Sequence, residues 1–127
     1  MSGAQLAIEI RGLAVHAHHG VHEHEKRDGQ PFLIDVRAVP RSALACRTDS
    51  LADAVSYAEL ATLVATIAVR ERFDLIERLA SFLCDALLAA FPLEHVGVTV
   101  HKPEAPIGLP FDDVCVTVAR SASTTCG

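Results

Sequence analysis

Five of the chain's seven histidines fall in one run, His16-Ala17-His18-His19-Gly20-Val21-His22-Glu23-His24-Glu25. Imidazoles at this density raise the question of a metal, and His16 and His18 would share one face of a strand. A zinc centre needs ligands converging on a point. Nothing in this spacing forces convergence, so the expectation is a solvated polar loop and no metal. Lys102 stands just before Pro103 at the end of an alternating stretch, where a side chain can reach a pocket. A lysine does acid/base work when burial or a neighbouring cation brings its pKa toward neutrality; otherwise it is a solvated surface group. Glu77, three residues after Asp74, reads as the third position of a capping box. The same placement sets a carboxylate beside free backbone N–H groups, an edge complementary to a heterocycle. Position alone does not separate the two readings. Glu25 lies in a charged run from Glu23 to Asp28. Tyr57 is the lone tyrosine in a chain without tryptophan, and its spacing puts it on the apolar stripe of a helix. There is no P-loop, no G-x-S-x-G and no G-x-G-x-x-G after a strand, so nucleophilic Ser or Cys catalysis has no local support.

These residues need a frame. With 127 residues, half of them hydrophobic and 21% charged, the chain reads as one globular domain over 1–127. A net charge of -5 with no Lys/Arg run argues against nucleic acid as a partner. Of Cys46, Cys84, Cys115 and Cys126, none forms a C-x-x-C pair, and Cys84 and Cys115 read as small core residues. No charged-then-apolar leader and no bilayer-length apolar run is seen, which makes a cytoplasmic protein the expectation.

Hydrophobic periodicity predicts the elements that hold the candidate groups. A half-buried strand is expected over Gln5–Val15 and a second over Phe32–Val39, closed by Pro40, with the His-rich stretch between them. A connector follows over Arg41–Val55. Ser56-x-x-Glu59 opens a helix from Tyr57 to about Arg70, with Leu60, Ala61, Val64, Ile67 and Ala68 on Tyr57's stripe. A second helix starts at Asp74-x-x-Glu77 and ends at Pro92. Strands are expected over His95–His101 and Val114–Ala119, and frayed tails at 1–4 and 121–127. Strand, strand, helix, helix, strand, strand makes an α+β layer: a four-stranded antiparallel sheet with two helices on one face. Such a sheet has two bare edges, and pairing them between subunits is the expected remedy, hence a homo-oligomer.

Taken in order along the chain, these segments resemble the dihydroneopterin aldolase family. The matching stretches are Arg11-Gly12-Leu13, His19-Gly20-Val21, Glu25 ahead of Gly29-Gln30-Pro31-Phe32, and Thr48-Asp49-Ser50-Leu51-Ala52-Asp53 running to Tyr57. They continue with Asp74-Leu75-Ile76-Glu77, His101-Lys102-Pro103-Glu104-Ala105-Pro106-Ile107 and Phe111-Asp112-Asp113-Val114. The resemblance implies the tunnelling fold, in which four subunits pair strands into a barrel, two rings stack as an octamer, and active sites lie between subunits. It also implies a dihydropterin substrate, no cofactor and no metal. Glu77 and the Ile76 amide would anchor the pterin, with Val55, Val21 and His22 also in the binding site. Tyr57 would come over the ring from an adjacent subunit and help position the proton relay, Lys102 would be the acid/base, and Glu25 would assist it, so that the resemblance implies Lys102, Tyr57 and Glu25 as the catalytic residues. The segment Ala54-Val55-Ser56 departs from the family pattern, as does the density of histidine, and both differences bear on substrate preference more than on reaction type.

The implied reaction is a retro-aldol cleavage of 7,8-dihydroneopterin, whose own C=N bond accepts the electrons of the broken C1'–C2' bond. Re-addition of the aldehyde would make the same site an epimerase at C2', which is the rival enzyme reading. A zinc-dependent pterin enzyme of this fold and a non-catalytic pterin-binding subunit are the remaining alternatives.

Overall fold

The computed structural model describes residues 4–123. Of the frayed tails expected at 1–4 and 121–127, residues 1–3 and 124–127, Cys126 among them, lie outside the described residues. Strand β1 (Ile8–Ala17) leads through a short helix α1 (Glu23–Asp28) into β2 (Gln30–Pro40). A one-turn helix α2 (Ala45–Thr48) and a 3-10 turn (Leu51–Asp53) occupy what reads in sequence as a featureless connector. Helices α3 (Tyr57–Arg70) and α4 (Ile76–Ala90) follow, then β3 (Leu93–His101) and β4 (Cys115–Ser121). The strands form one antiparallel sheet in the order β1-β2-β3-β4. The expected α+β architecture is therefore present, and β1 and β4 are its two edges. No described helix is long and apolar enough to cross a membrane.

Alternation decides which strand residues face the helices. Phe32, Ile34, Val36 and Ala38 of β2 and Val96, Val98 and Val100 of β3 point inward and are buried. They meet Leu60, Val64, Ile67 and Ala68 of α3 and Ile76, Leu79, Ala80, Leu83, Cys84 and Leu87 of α4. Each fully buried large aliphatic side chain contributes about 1.5–3 kcal/mol. In β1 the alternation slips once: Ile10 pairs with Val36 but Leu13 with Ile34. Gly12 takes up the extra residue at φ 69° and its N–H donates to Asp35 Oδ1 at 2.7 Å. A glycine at positive φ is the usual residue of such a bulge.

Several sequence expectations change: Glu23–Asp28, expected as loop, is the helix α1. Cys115 is exposed rather than core, because Val116 and Val118 take the inward phase of β4. Tyr57 is 69% exposed instead of lying in the α3 stripe. Asp74 caps nothing: α4 begins one residue later than a box at Asp74 requires, with Leu75 as its N-cap. Lys26 holds the Asp74 carboxylate at 2.9 Å. The Ser56 cap is as expected, its Oγ accepting from the Glu59 N–H at 3.2 Å. Within the tail expected to fray at 121–127, Ser121 is a strand residue and the Ala122 N–H donates to Glu94 O at 2.8 Å.

Candidate active site

Lys102 leaves the end of β3 on the side opposite His101, and its backbone N–H donates to Val114 O at 2.7 Å. Its side chain is 13% exposed, and Nζ lies 2.7 Å from Glu25 Oε2. The sequence reading asked for burial or a cationic neighbour; the structure supplies burial and an anion. Glu25, far from a solvated loop residue, is 1% exposed. It sits in the first turn of α1, where its Oε1 accepts the His22 N–H at 3.2 Å. Burial alone would push this carboxyl up. The hydrogen bond from Lys102, those from Gln30 and His22, and the lysine's charge outweigh it and hold the group at about 2.

Gln30 is the residue that sequence reasoning missed. Its amide nitrogen donates to Glu25 Oε2 at 2.8 Å, an assignment forced because an ionised carboxylate only accepts. Its Oε1 is then buried with no partner. The only signal for it was its place in the Gly29-Gln30-Pro31-Phe32 match. Gly20 backs the same carboxylate so closely that a Cβ there would overlap it, and its φ of 149° disfavours any side chain.

The turn between α3 and α4 is tied to this corner. His19 is fully buried between Phe32 and Phe73. Its Nδ1 accepts the Phe73 N–H at 3.1 Å, so its Nε2 must carry the proton given to Ala68 O at 2.7 Å. The ring is neutral in this arrangement; burial lowers its pKa, against the raising effect of the Ala68 carbonyl. Gly20 N donates to Phe73 O at 3.0 Å, and Arg72 reaches Lys26 O at 3.1 Å. These ties carry the first turn of α4, with Ile76 buried and Glu77 exposed, to the end of the molecule that holds the Lys102–Glu25 pair. Free of any capping box, Glu77 stands beside first-turn N–H groups that have no partner within the helix.

The other expected residues divide. His22 is the N-cap of α1, and Val21 beside it is 58% exposed. Tyr57 and Val55 are elsewhere. Tyr57 opens α3, whereas Ala68, the residue touching His19, is near its close. At 1.5 Å per residue these are about 17 Å apart. Val55 lines a cleft at that far end with Leu51, Ala54, Ser56, Glu59, Phe91 and Pro92. Within one chain, Tyr57 and Val55 therefore do not join Lys102, Glu25 and Glu77. The His-rich run builds no metal centre among the described residues: His18 Nδ1 faces Lys26 O at 2.9 Å, and His19 and His22 have the structural tasks just given.

On the sheet face turned away from the helices, His101 lies between two carboxylates. Nε2 faces Asp35 Oδ2 and Nδ1 faces Asp113 Oδ2, both at 2.6 Å. Asp35 first and Asp113 next hold the ring's pKa above its ordinary value.

Residues 8–119 match the family model described as dihydroneopterin aldolase. A dihydroneopterin aldolase of Streptomyces coelicolor is 41% identical over 114 residues, which are 90% of this chain and 96% of the relative. One of Methylorubrum extorquens is 41% identical over 117 residues, 91% of this chain and 90% of the relative. The crystal structure of Escherichia coli dihydroneopterin aldolase in complex with neopterin is similar at a TM-score of 0.83 and 30% identity, covering 91% of this chain and 98% of that one.

Proposed function

The chain belongs to the dihydroneopterin aldolase family, and from that membership we propose how its buried ion pair serves the reaction. The protein is a lyase, a dihydroneopterin aldolase of folate biosynthesis. It cleaves C1'–C2' of 7,8-dihydroneopterin to give 6-hydroxymethyl-7,8-dihydropterin and glycolaldehyde. The proton leaves the 2'-hydroxyl, the C1'–C2' electrons move into the ring C=N as an enamine, and a proton returns to C1'. The substrate is its own electron sink, so neither a Schiff base nor a metal is required by the chemistry.

The observation that carries the site assignment is the Lys102 Nζ to Glu25 Oε2 contact of 2.7 Å, on a carboxylate 1% exposed. Lys102 is the acid/base residue, worth roughly 10²–10⁴-fold in rate. Glu25 sits behind it and acts through it, fixing Nζ in one place and balancing its charge. The unpartnered Gln30 Oε1 beside them offers an acceptor to an ordered water that would relay the proton. Glu77 and the Ile76 N–H bind the pterin edge through charge-assisted and neutral hydrogen bonds. Val21 and His22 border the same space.

Tyr57 and Val55 enter from an adjacent subunit. The separation along α3 supports this, since one chain cannot bring them to Lys102. The open β1 and β4 edges support a ring of copies paired edge to edge, the tunnelling barrel, with two rings stacking as the octamer.

The test is a product assay. The protein is incubated with 7,8-dihydroneopterin in EDTA, the mixture is oxidised, and pterins are separated with fluorescence detection. The expected result is 6-hydroxymethylpterin with matching glycolaldehyde, and a monapterin peak measures any epimerase share. Unchanged neopterin would refute the reading. Lys102→Ala should lower turnover by orders of magnitude with pterin binding largely kept, whereas Glu77→Ala should abolish pterin binding.

A further inference from the structure

The β3–β4 hairpin carries a second constellation that the aldolase chemistry leaves unused. His101 and Cys115 are directly paired across the hairpin, and Asp113 lies two residues before Cys115. One donor atom from each of the three lies within 4.8 Å of the others. Their side chains emerge on the sheet face opposite the helices, away from Lys102, because neighbours on a strand point to opposite faces. Cys115 is exposed and free, and Asp113 and Asp35 are each 36% exposed at the side chain.

We propose that His101 Nδ1, Asp113 Oδ2 and Cys115 Sγ form a binding site for a divalent cation of zinc-like softness, with Asp35 as the outer carboxylate that orients the histidine. One imidazole nitrogen, one carboxylate oxygen and one thiolate is a donor set suited to zinc and cobalt, not to magnesium or calcium. Bond lengths of about 2.0–2.3 Å set tetrahedral ligands roughly 3.3–3.8 Å apart, so closure needs only about 1 Å of movement by exposed side chains. The orientation of the ring is already the one a metal requires. Asp35 Oδ2 takes the Nε2–H at 2.6 Å, which turns Nδ1 toward Asp113 and Cys115. Metal-bound histidines commonly give their second ring N–H to such a carboxylate. Asp35 is itself fixed, because its Oδ1 accepts the Gly12 N–H at 2.7 Å from the β1 bulge. Binding expels the Nδ1 proton and the thiol proton to solvent, and a fourth position stays open to water.

The site is separate from the Lys102–Glu25 pair, so its test does not depend on turnover. Protein stripped with EDTA and kept reduced is titrated with Co²⁺, with visible bands reporting tetrahedral geometry and a near-ultraviolet thiolate-to-cobalt band reporting the sulfur. Zinc affinity is measured by calorimetry. One cobalt per chain with the thiolate band is expected. Cys115→Ser should remove the band, and His101→Gln should lower zinc affinity at least tenfold. Asp35→Asn should lower it 10–100-fold. Cys46→Ser, Cys126→Ser and a paired His18→Gln, His24→Gln variant should change neither. Absence of the band, or its survival in Cys115→Ser, overturns the site. So does affinity that falls only in the His18/His24 variant, which would place the metal in the His-rich loop. Cys115 is exposed, so Cys115→Ser folds and decides the matter even if His101→Gln does not.

Discussion

Replacing Glu25 with glutamine keeps the shape of a side chain that is 1% exposed and removes only its charge. The native carboxyl is held at about 2 against an ordinary 4.5. A depressed carboxyl stabilises the fold above its unfolded value, and that contribution fades as pH falls through the folded one. At 1.36 kcal/mol per unit, ionised Glu25 contributes about 3 kcal/mol at pH 7. At pH 3 the folded group is still mostly ionised while the unfolded one is protonated, and about 1 kcal/mol remains. Glu25→Gln should therefore be destabilised more at pH 7 than at pH 3, by about 2 kcal/mol. Mismatched amide donors facing Lys102 and Gln30 add an offset, but the same one at both pH values. The assay is urea unfolding of wild type and variant at both pH values and one fixed protein concentration, because association would otherwise shift the midpoints. A wild-type-minus-variant difference that stays flat between pH 7 and pH 3 would show that the pairing with Lys102 is not what holds Glu25 in the interior.

Gly20→Ala should lower both the melting temperature and turnover, because the new Cβ displaces the Glu25 carboxyl and Lys102 loses its anchor; wild-type turnover in this variant would detach that anchor from catalysis. His19→Leu should cost roughly 2–4 kcal/mol in urea unfolding, since the Ala68 carbonyl and the Phe73 N–H both lose their buried partner. The same variant should be less sensitive to acid. Wild-type His19 titrates below its unfolded value of 6.5, so the unfolded chain takes up a proton first and stability falls as pH drops through that value. An unaltered pH slope in His19→Leu would contradict the neutral tautomer.

The parts of this fold that could be read in sequence are those set by neighbours. Helix α3 runs from Tyr57 to Arg70 as expected, because Ser56 caps it and Leu60, Val64 and Ile67 keep one phase. Contacts between distant segments were not readable. Asp74 has the right spacing for a cap, but Lys26, far back in the chain, captures it. Glu25 looks like one charge in a polar run until the end of β3 brings Lys102 to it. The histidines show the same limit: sequence gives the run as a solvated polar loop, but within it His18 and His19 fasten distant backbone through their rings. The ring with metal-ligand neighbours is the isolated His101, whose partners become visible only once the hairpin register sets Cys115 opposite it. Lys102 and Glu77 were recognisable as candidates through motif resemblance, whereas Gln30 became one only through its contact with Glu25.

The length of α3 has a consequence for genetics. If Tyr57 at one end of the helix serves a neighbour's Lys102 and never its own, two alleles inactive for opposite reasons need not be inactive together. A Tyr57→Ala chain and a Lys102→Ala chain, co-expressed and assembled into mixed rings, would reconstitute some sites from one sound half of each. A strain carrying both would grow without added folate where neither parent does, and a single copy carrying both lesions would not.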